Sequence, residues 1–299
     1  MQNIIVKIII LSTLLLVVKC TDILNNDSSE YNSIHLKGGG WLQFNNQYIN
    51  SHLNSDFSLQ LWISGKADQS NDSKTLLAVL DEDNNNEIIF GLFRNTTVNN
   101  GIDIFIEGNY IETITDNSID WTQIIFNLIT VTSEETDSGN NIIKVFINNI
   151  ESFSNQDTDL QLGDNNLIIG GKVNSSQTVA SNFWTGYIDE IRLWSTALTS
   201  DEVSFHFSNP SKLVTSADNT ETEDVVEGTY EDARLCHLAG LWRFNYNNPT
   251  SSINDESCLE LDLTSGASNV PTCDDECENI NGIIYTLPGY NVEFSKTGL

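Results

Sequence analysis

The sequence predicts an all-β fold, a sandwich or barrel of antiparallel strands, and three observations support that prediction. Short segments that alternate apolar and polar residues recur between about residues 33 and 194, most clearly Phe57–Ile63 and Gly101–Glu107. Clusters of Asn, Asp and Gly separate these segments, at the spacing that turns have in all-β domains. Helical periodicity is almost absent from this part of the chain.

Five further segments share the period of two that places alternate side chains on opposite faces of a strand. They are Glu87–Arg94, Trp121–Val131, Ile142–Asn148, Asn166–Ile169 and Gly186–Trp194. The turn clusters between the strands are Asp81–Asn86, Asn99–Gly101, Asp137–Asn141 and Gly163–Asn166. Because short strands alternate with turns over this whole region, we expect one continuous β domain.

One short helix is predicted near residue 200. Thr199-Ser200-Asp201-Glu202 forms a capping box, in which the threonine hydroxyl caps the first turn and the glutamate reaches back. The helix would continue for a turn or two through Val203 and Phe205, and Pro210 would end it.

Residues 1–20 have the features of an export signal, and residues 21–32 form a polar, flexible lead. Lys7 is the only charge before an apolar run from Ile8 to Val18, which is shorter than the roughly 20 residues that span a bilayer. We expect cleavage after Cys20, and therefore a secreted or surface-exposed chain with no transmembrane segment in its mature part. Lipidation of Cys20, as in a bacterial lipoprotein, and an uncleaved anchor are the alternatives.

The remaining cysteines agree with export. They are even in number and all lie in the last quarter of the chain: Cys236, Cys258, Cys273 and Cys277. In an oxidising compartment they predict two disulfides, with three possible connectivities. A zinc site is the alternative, but Cys273 and Cys277 lack C-x-x-C spacing and only His237 lies nearby.

The net charge of −29 limits the partners of this chain. It disfavours nucleic acid and anionic membranes, because phosphate contacts require Lys or Arg. The charge is typical of a solvated surface in a salty environment. It would also suit the binding of cations, of which Ca²⁺ is the natural candidate because it takes oxygen ligands.

Two segments resemble the Laminin-G-like family of concanavalin A-like jelly rolls. The sequence from Trp184 to Val203 resembles the closing signature of that family, in which G-x-I-D-E-I-R-L-W precedes A-L and a capped helical turn. Asp56–Ile63 resembles its early core strand. Val145–Asn149 lies where the family has a hairpin, with Asn149 replacing the usual glycine. The turn should survive this replacement because Asn also adopts the left-handed conformation.

The resemblance implies an antiparallel two-sheet jelly-roll sandwich over residues 33–208. We expect an acidic linker over 209–234 and a Cys-containing unit over 235–299 that resembles the opening of a second such domain. Gly240–Asn245 and Asn254–Ser257 carry that second resemblance, and Tyr290–Phe294 would match Gly40–Phe44. Either the chain is incomplete or this tail packs onto the first domain.

Strand alternation gives a physical interpretation of the closing signature. One face would hold Ile188, Glu190, Arg192 and Trp194, and the other Tyr187, Asp189, Ile191 and Leu193. Asp189 and Glu190 would then point to opposite sides, with Glu190 and Arg192 paired on the outer face. Family members often hold Ca²⁺ near this strand, so the resemblance implies Asp189 as a ligand of a weak site; the alternative is a hydrogen bond to a neighbouring loop.

Catalytic motifs are largely missing from the sequence. Asp103 and Glu107 are four residues apart, about 13 Å along a strand at about 3.3 Å per residue. Glycosidases need carboxyls about 5–5.5 Å or about 6.5–9.5 Å apart, so these residues are interpreted as a solvent face shared with Phe105. Asp81–Glu87 imitates the start of an EF-hand loop, but a hairpin turn is the better interpretation. The four histidines show no ligand spacing.

Sequons for glycosylation occur at Asn26, Asn71, Asn95 and Asn174. The function that the resemblance implies is a non-catalytic binding or adhesion module that recognises an extracellular glycan or surface protein. The resemblance also implies that Ca²⁺ takes part in this binding. A glycoside hydrolase and a purely architectural domain are the alternatives, because fold alone does not decide function.

Overall fold

A computed structural model describes residues 33–38, 41–44, 56–66, 74–81, 88–158, 165–173, 180–210, 213, 237–242, 284–286 and 292–295. These residues form strands and one helix. In chain order the strands are β1 (Ser33–Lys37), β2 (Leu42–Phe44), β3 (Phe57–Gly65), β4 (Lys74–Leu80), β5 (Ile88–Arg94), β6 (Gly101–Ile106), β7 (Asn109–Thr115), β8 (Asn127–Glu135), β9 (Asn141–Ile147), β10 (Ile150–Thr158), β11 (Asn166–Ile169), β12 (Lys172–Val173), β13 (Ala180–Ser181), β14 (Thr185–Trp194), β15 (Leu238–Trp242), β16 (Ile284–Thr286) and β17 (Val292–Ser295). The helix is α1 (Ser200–Ser208).

The strands make two main antiparallel sheets, which confirms the predicted sandwich. One sheet has the order β10-β9-β8-β3-β14-β1-β17, with β15 also paired to β14. The other has the order β16-β2-β11-β4-β5-β6-β7, and β12 pairs with β13 alone. The inner faces of both sheets contribute to one core of Ile, Leu, Val, Phe and Trp side chains. Alternate residues of strands such as β6 and β9 therefore lie in this core, as the sequence pattern predicts, whereas β3 and almost all of β14 are buried on both faces.

The segment predicted as a strand from Trp121 to Val131 is different in the structure. Only its second half is a strand, which begins at Asn127. Trp121 is fully buried in the core, and its indole N–H donates to the Gly101 carbonyl oxygen at 3.3 Å. Ile124 and Ile125 are 46% and 48% exposed. The alternation there reflects one anchoring tryptophan in a loop, and not the pleat of a strand.

The predicted helix and its capping box are confirmed. The Thr199 backbone N–H donates to Glu202 Oε2 at 2.7 Å, and the Glu202 N–H donates to Thr199 Oγ1 at 3.3 Å. The helix ends at Ser208, with Asn209 as its C-terminal cap. Pro210, which follows this cap, could not continue the helix. It covers the outer face of the first sheet, where Trp62 stacks on Phe207 with ring centroids 6.0 Å apart.

The hairpin between β9 and β10 forms as expected, but a different asparagine has the left-handed conformation. Asn148 has a φ of 57°, whereas the expectation assigned this conformation to Asn149. The Asn148 backbone N–H donates to the Leu128 carbonyl at 2.7 Å, and its Oδ1 accepts from the Leu128 N–H at 3.0 Å. Its side chain therefore ties the turn to β8, which explains why the strained residue is here.

The C-terminal strands join the sheets of the first domain. β15 pairs with β14, β16 with β2, and β17 with β1. Trp242 in β15 is fully buried in the common core. These three strands therefore pack onto the first domain. Among the described residues, no helix is both long enough and apolar enough to span a membrane.

Candidate functional site

The outer face of the second sheet carries a cluster of polar and aromatic side chains on β5, β6 and β7. Ile102, Ile104 and Ile106 of β6 point into the core, so the residues between them face outward. The strand register places Asp103 opposite Thr113 and Phe105 opposite Tyr110. Asn95, directly after β5, completes the set. We call these five residues, Asn95, Asp103, Phe105, Tyr110 and Thr113, the Asp103 cluster.

Hydrogen bonds hold the polar half of the Asp103 cluster in place. Asp103 Oδ1 accepts from Asn95 Nδ2 at 2.7 Å and from Thr113 Oγ1 at 2.6 Å. The Tyr110 and Thr113 hydroxyl oxygens are 2.8 Å apart. Neither bond to Asp103 uses Oδ2, so one carboxylate oxygen keeps its capacity to accept hydrogen bonds from a ligand.

Hydrogen bonds from the loop that follows β5 hold the Asn95 side chain in place. Its Oδ1 accepts from the backbone N–H groups of Thr97 at 2.8 Å and Val98 at 2.7 Å. This side chain therefore bonds with both ends of its amide, as Asn does in turns. Asn95 belongs to one of the four sequons; Asn26, Asn71 and Asn174 lie outside the described residues.

Aromatic rings form the other half of the Asp103 cluster and extend it along the sheet. Phe105 makes edge contacts with Phe93 and Tyr110, at centroid distances of 5.2 and 5.8 Å. A Cβ atom at Gly91 would lie 2.4 Å from the Phe93 ring, so this glycine leaves room for the ring to lie across β5. Tyr110 is 55% exposed. The row therefore ends in a ring that is fixed on one side and open to solvent on the other.

Asp103 and Glu107 do not form a catalytic pair on one strand. β6 ends at Ile106, and Glu107 lies in the following turn with a φ of 50°, with its N–H bonded to the Ile89 carbonyl at 2.8 Å. Asp103 and Phe105 lie on the outward face of β6, and Glu107 is exposed to solvent in the turn that follows. The left-handed conformation at Glu107 begins that turn at the residue itself.

A β-bulge corrects the predicted alternation in the closing signature. Between Asp189 and Ile191 the pairing of β14 with β3 shifts by one residue. Ile188 therefore lies in the core together with Ile191 and Leu193. Asp189 is opposite Trp62, whose ring contacts α1, so Asp189 faces outward on the same side as Glu190 and Arg192. The bulge residue is unpaired, which is what displaces the alternation.

The outward carboxylates of the bulge are enclosed. Glu190 Oε1 accepts from Arg192 Nε at 2.5 Å, and both side chains are almost completely buried. The Arg192 guanidinium also donates to the Pro210 carbonyl oxygen after α1. The predicted pairing of Glu190 with Arg192 is thus present, but beneath the helix and not in solvent.

Asp189, the predicted Ca²⁺ ligand, is 5% exposed, and its Oδ1 accepts from the Glu190 N–H at 2.7 Å. Across the parts of the chain that the structure describes, no group of three or more His, Cys, Asp or Glu side chains could hold a metal ion. The structure brings Asp189 next to Glu190, whose carboxylate is already paired with Arg192.

Several other predicted residues lie outside the described part of the chain. They are the export segment with Cys20, and the four cysteines Cys236, Cys258, Cys273 and Cys277. Most of the EF-hand-like turn is also outside it. The histidines that the structure describes are separate: His35 stacks on Tyr187 at 4.4 Å, His206 on Trp194 at 5.4 Å, and His237 lies beside Ser195.

Tyr110 and Thr113 were not predicted as site residues because β7, on which they lie, was not predicted. Asn95 was predicted only as a glycosylation sequon. The alternation of β7 is interrupted where Ile111 bulges between Tyr110 and Glu112, opposite Ile104 and Phe105. Of the seven residues of β7 only Ile114 is buried, so the strand shows no buried alternation that a sequence pattern could reveal.

The fold has known relatives. A sequence profile described as the concanavalin A-like lectin/glucanases superfamily, Laminin_G_3, matches residues 36–204. No curated protein matches the sequence at a significant level. A protein from Bacteroides ovatus, provisionally described as carbohydrate-binding, is similar over 90% of this chain and 61% of its own, with 12% identity and a TM-score of 0.51.

Two more distant structures have sialic acid ligands. The CBM40 of the Ruminococcus gnavus IT-sialidase, bound to α2,3 sialyllactose, is similar over 60% of this chain and 98% of its own, with 14% identity and a TM-score of 0.43. The Trypanosoma rangeli sialidase with a difluorosialic acid is similar over 59% of this chain and 27% of its own, with 12% identity and a TM-score of 0.44.

Proposed function

Because the chain belongs to the concanavalin A-like lectin/glucanase superfamily, we propose that it is a non-catalytic module that binds carbohydrate at the Asp103 cluster. The observation that carries this proposal is the placement of the exposed Tyr110 ring beside the hydrogen-bonded Asp103 carboxylate. A sugar presents apolar C–H faces and a rim of hydroxyl groups. The cluster offers an aromatic surface for the C–H faces and fixed polar atoms for the hydroxyl groups. The similar Bacteroides ovatus protein, described provisionally as carbohydrate-binding, supports it.

The charge of the cluster favours a neutral saccharide. Asp103 is the one acidic residue of the cluster, and the chain as a whole carries a net charge of −29. An anionic sugar would bring a second carboxylate towards Asp103 without a cation in the cluster to offset the repulsion. We therefore expect neutral hexose polymers or oligomers to bind, and sialylated or uronic-acid glycans to bind at least tenfold more weakly.

A glycan array followed by calorimetry tests the proposal. Tyr110→Ala should weaken binding of an array-positive glycan by about tenfold, since one stacking surface is lost. Asp103→Asn should weaken it by about tenfold or more, because charged acceptors make the stronger hydrogen bonds. Ile125→Ala and Asp137→Asn are matched controls on exposed loops and should bind as wild type. Binding that is unaffected by both cluster variants would place the site elsewhere.

The non-catalytic part of the proposal rests on the lone carboxylate of the cluster. Glycosidases of the usual type need two carboxyl groups on opposite sides of the scissile bond, and Glu107 lies in a separate turn. We expect no release of reducing sugar from glycans that bind. Turnover that disappears in Asp103→Asn but persists in Asp137→Asn would show that the protein is an enzyme.

The Ca²⁺ site stays a prediction. Ca²⁺ takes six to eight oxygen ligands, and within the described ranges no group of three or more His, Cys, Asp or Glu side chains could supply them. Asp189 would therefore need backbone carbonyls, amide side chains or residues outside those ranges as further ligands. At a dissociation constant of about 10⁻⁴–10⁻³ M, millimolar Ca²⁺ would stabilise the fold by at most about 1–1.5 kcal/mol. Thermal unfolding with EDTA and with Ca²⁺ should show this rise in wild type and not in Asp189→Asn. An unchanged Tm in wild type would remove the site.

We propose further that the protein acts outside the cell or at its surface. The short apolar run that ends at Cys20 supports export, and the four C-terminal cysteines would then pair as two disulfides. N-terminal sequencing of secreted protein should find a start near residue 21, and a lipid on Cys20 would indicate a lipoprotein. Mass spectrometry of the unreduced protein that finds four free thiols would contradict the disulfides.

A further inference from the structure

An open groove lies on one side of the sandwich, between the last strands of the two sheets. β7 ends the second sheet and β10 ends the first. The groove between them has a volume of about 590 Å³ and is lined by residues 112–117 and 150–152. We call it the edge groove.

The two sides of the sandwich differ in how their edges are covered. On one side the outermost strands are the tail strands β16 and β17. On the other side, within the described ranges, β7 pairs only with β6 and β10 only with β9. An edge strand presents a row of backbone N–H and C=O groups that a further strand can bond. Both such rows border the edge groove.

Exposed apolar side chains are concentrated on these two strands. Among the described residues, six large hydrophobic side chains are exposed, and three of them lie here: Tyr110, Ile111 and Ile150. Ile150 lines the groove and is the most exposed of the six, at 57%. An exposed apolar residue beside an open strand edge is a contact that a partner strand would bury.

The charge of the edge groove is negative. Its lining contains the carboxylates of Glu112, Asp116 and Glu151. Lys144 lies 3.4 Å from Glu151, with both side chains partly exposed, and offsets one of these charges. A second copy of this chain would bring its own −29 charge to the same edge, so the groove repels self-association and attracts cationic segments.

We propose that the edge groove binds an extended cationic peptide segment of a partner protein. The segment adds to β7 as a further strand, in the mode known as β-augmentation. Alternate side chains of an added strand point to one face, so lysine or arginine side chains would meet Glu112 and Glu151 while an apolar side chain covers Ile150. The edge groove shares Thr113 with the Asp103 cluster, but the variants that test the groove change no residue of that cluster.

The test uses a short capped peptide that alternates lysine with valine and threonine, titrated into the full-length protein at low salt. We expect saturable binding, with amide shift changes in NMR spectra confined to β7, β10 and their turns. A peptide with glutamate in place of lysine should not bind. A peptide whose lysine residues carry N-methyl groups on their backbone nitrogens keeps its charge but cannot donate those backbone hydrogen bonds to β7. It should bind at least tenfold more weakly.

The matched variants separate the groove from general charge. The triple variant Glu112→Gln, Asp116→Asn and Glu151→Gln should weaken binding by about tenfold, since exposed ion pairs are individually weak. The control Glu134→Gln, Asp137→Asn and Asp201→Asn removes the same charge from exposed positions elsewhere and should bind nearly as wild type. Equal losses in both, equal affinity for the N-methylated peptide, or no binding would each overturn the proposal. Circular dichroism confirms that both variants are folded.

Discussion

Asp120 shows how a single side chain fixes the loop that delivers Trp121 to the core. Its Oδ1 accepts from the Thr122 hydroxyl at 2.6 Å and from the Thr122 backbone N–H at 3.0 Å. These two bonds lower the pKa of the Asp120 carboxyl from its ordinary value, and the bond from the Thr122 hydroxyl is the larger cause. The turn so formed places the neighbouring indole against Trp184 with ring centroids 5.2 Å apart.

Replacing Thr122 by Val should raise the pKa of Asp120 towards its ordinary value, because the strongest donor to the carboxylate is lost. Since the folded pKa is lowered, the carboxylate stabilises the fold at any pH above the unfolded pKa, and this contribution is lost as pH falls through the folded pKa. Carboxyl-carbon NMR titration measures the shift. Thr122→Ser keeps the hydroxyl and should titrate as wild type; a wild-type midpoint in Thr122→Val would contradict the assignment.

Strand β14 illustrates what an irregular element does within a regular sheet. Its first half, up to Ile188, pairs with β1, and its second half, from Ile191, pairs with β15 on the same edge. The bulge at Asp189 and Glu190 lies at the point where the partner changes. A bulge bends a strand and increases its local twist, which allows two separate segments to pair along one edge. The I-D-E signature therefore marks a junction of strands.

The buried pair of Glu190 and Arg192 within this strand should be costly to break. Either Glu190→Leu or Arg192→Met alone leaves a buried charge uncompensated, which costs about 3–5 kcal/mol. The double variant should cost less than the sum, because two apolar side chains can replace the pair. Denaturant unfolding measures the four free energies. Lys144→Met, at the exposed pair with Glu151, should cost less than about 1 kcal/mol; strictly additive losses at Glu190 and Arg192 would exclude coupling.

The elements with an unbroken local pattern were predictable from sequence. β3, β6 and α1 follow directly from strict alternation or from a capping box. The departures come where a bulge adds a residue, as at Asp189 and Ile111, or where one tryptophan anchors a loop, as at Trp121. Both depend on what the neighbouring strand does, which a single segment does not contain. The Asp103 cluster was not recognised as a whole partly for this reason, because two of its five residues, Tyr110 and Thr113, lie on a bulged strand.

At the scale of the whole molecule, the described tail strands β15, β16 and β17 are part of the sandwich. Ala239 and Trp242 of β15 lie in the common core, whereas Leu238 and Leu241 join the second cluster around Trp194 beneath α1. One strand thus contributes to the packing on both faces of the first sheet. The three tail strands also supply edge partners to both sheets. These contacts predict that the tail and the region that matches the family unfold together.

Trp242→Ala should test this cooperativity. Removal of a fully buried indole is expected to cost about 3–5 kcal/mol, and the loss should lower the Tm of a single calorimetric transition that includes the core. Ile125→Ala, on an exposed loop, should leave the Tm nearly unchanged. Two separate transitions, only one of which shifts, would instead indicate an independent C-terminal unit.

The pairing of β17 with β1 has a consequence for biosynthesis. Ser33 lies opposite Ser295, so a neighbour of the first strand is made only after almost all of the described chain. At about 5–20 residues per second, the ribosome needs on the order of tens of seconds to cover that interval. Throughout it, β1 lacks its partner β17, whereas the distal half of β14 waits only until β15 is made. The nascent protein therefore depends on delayed closure at β1, and a holdase that shields this edge until β17 is made would raise its yield.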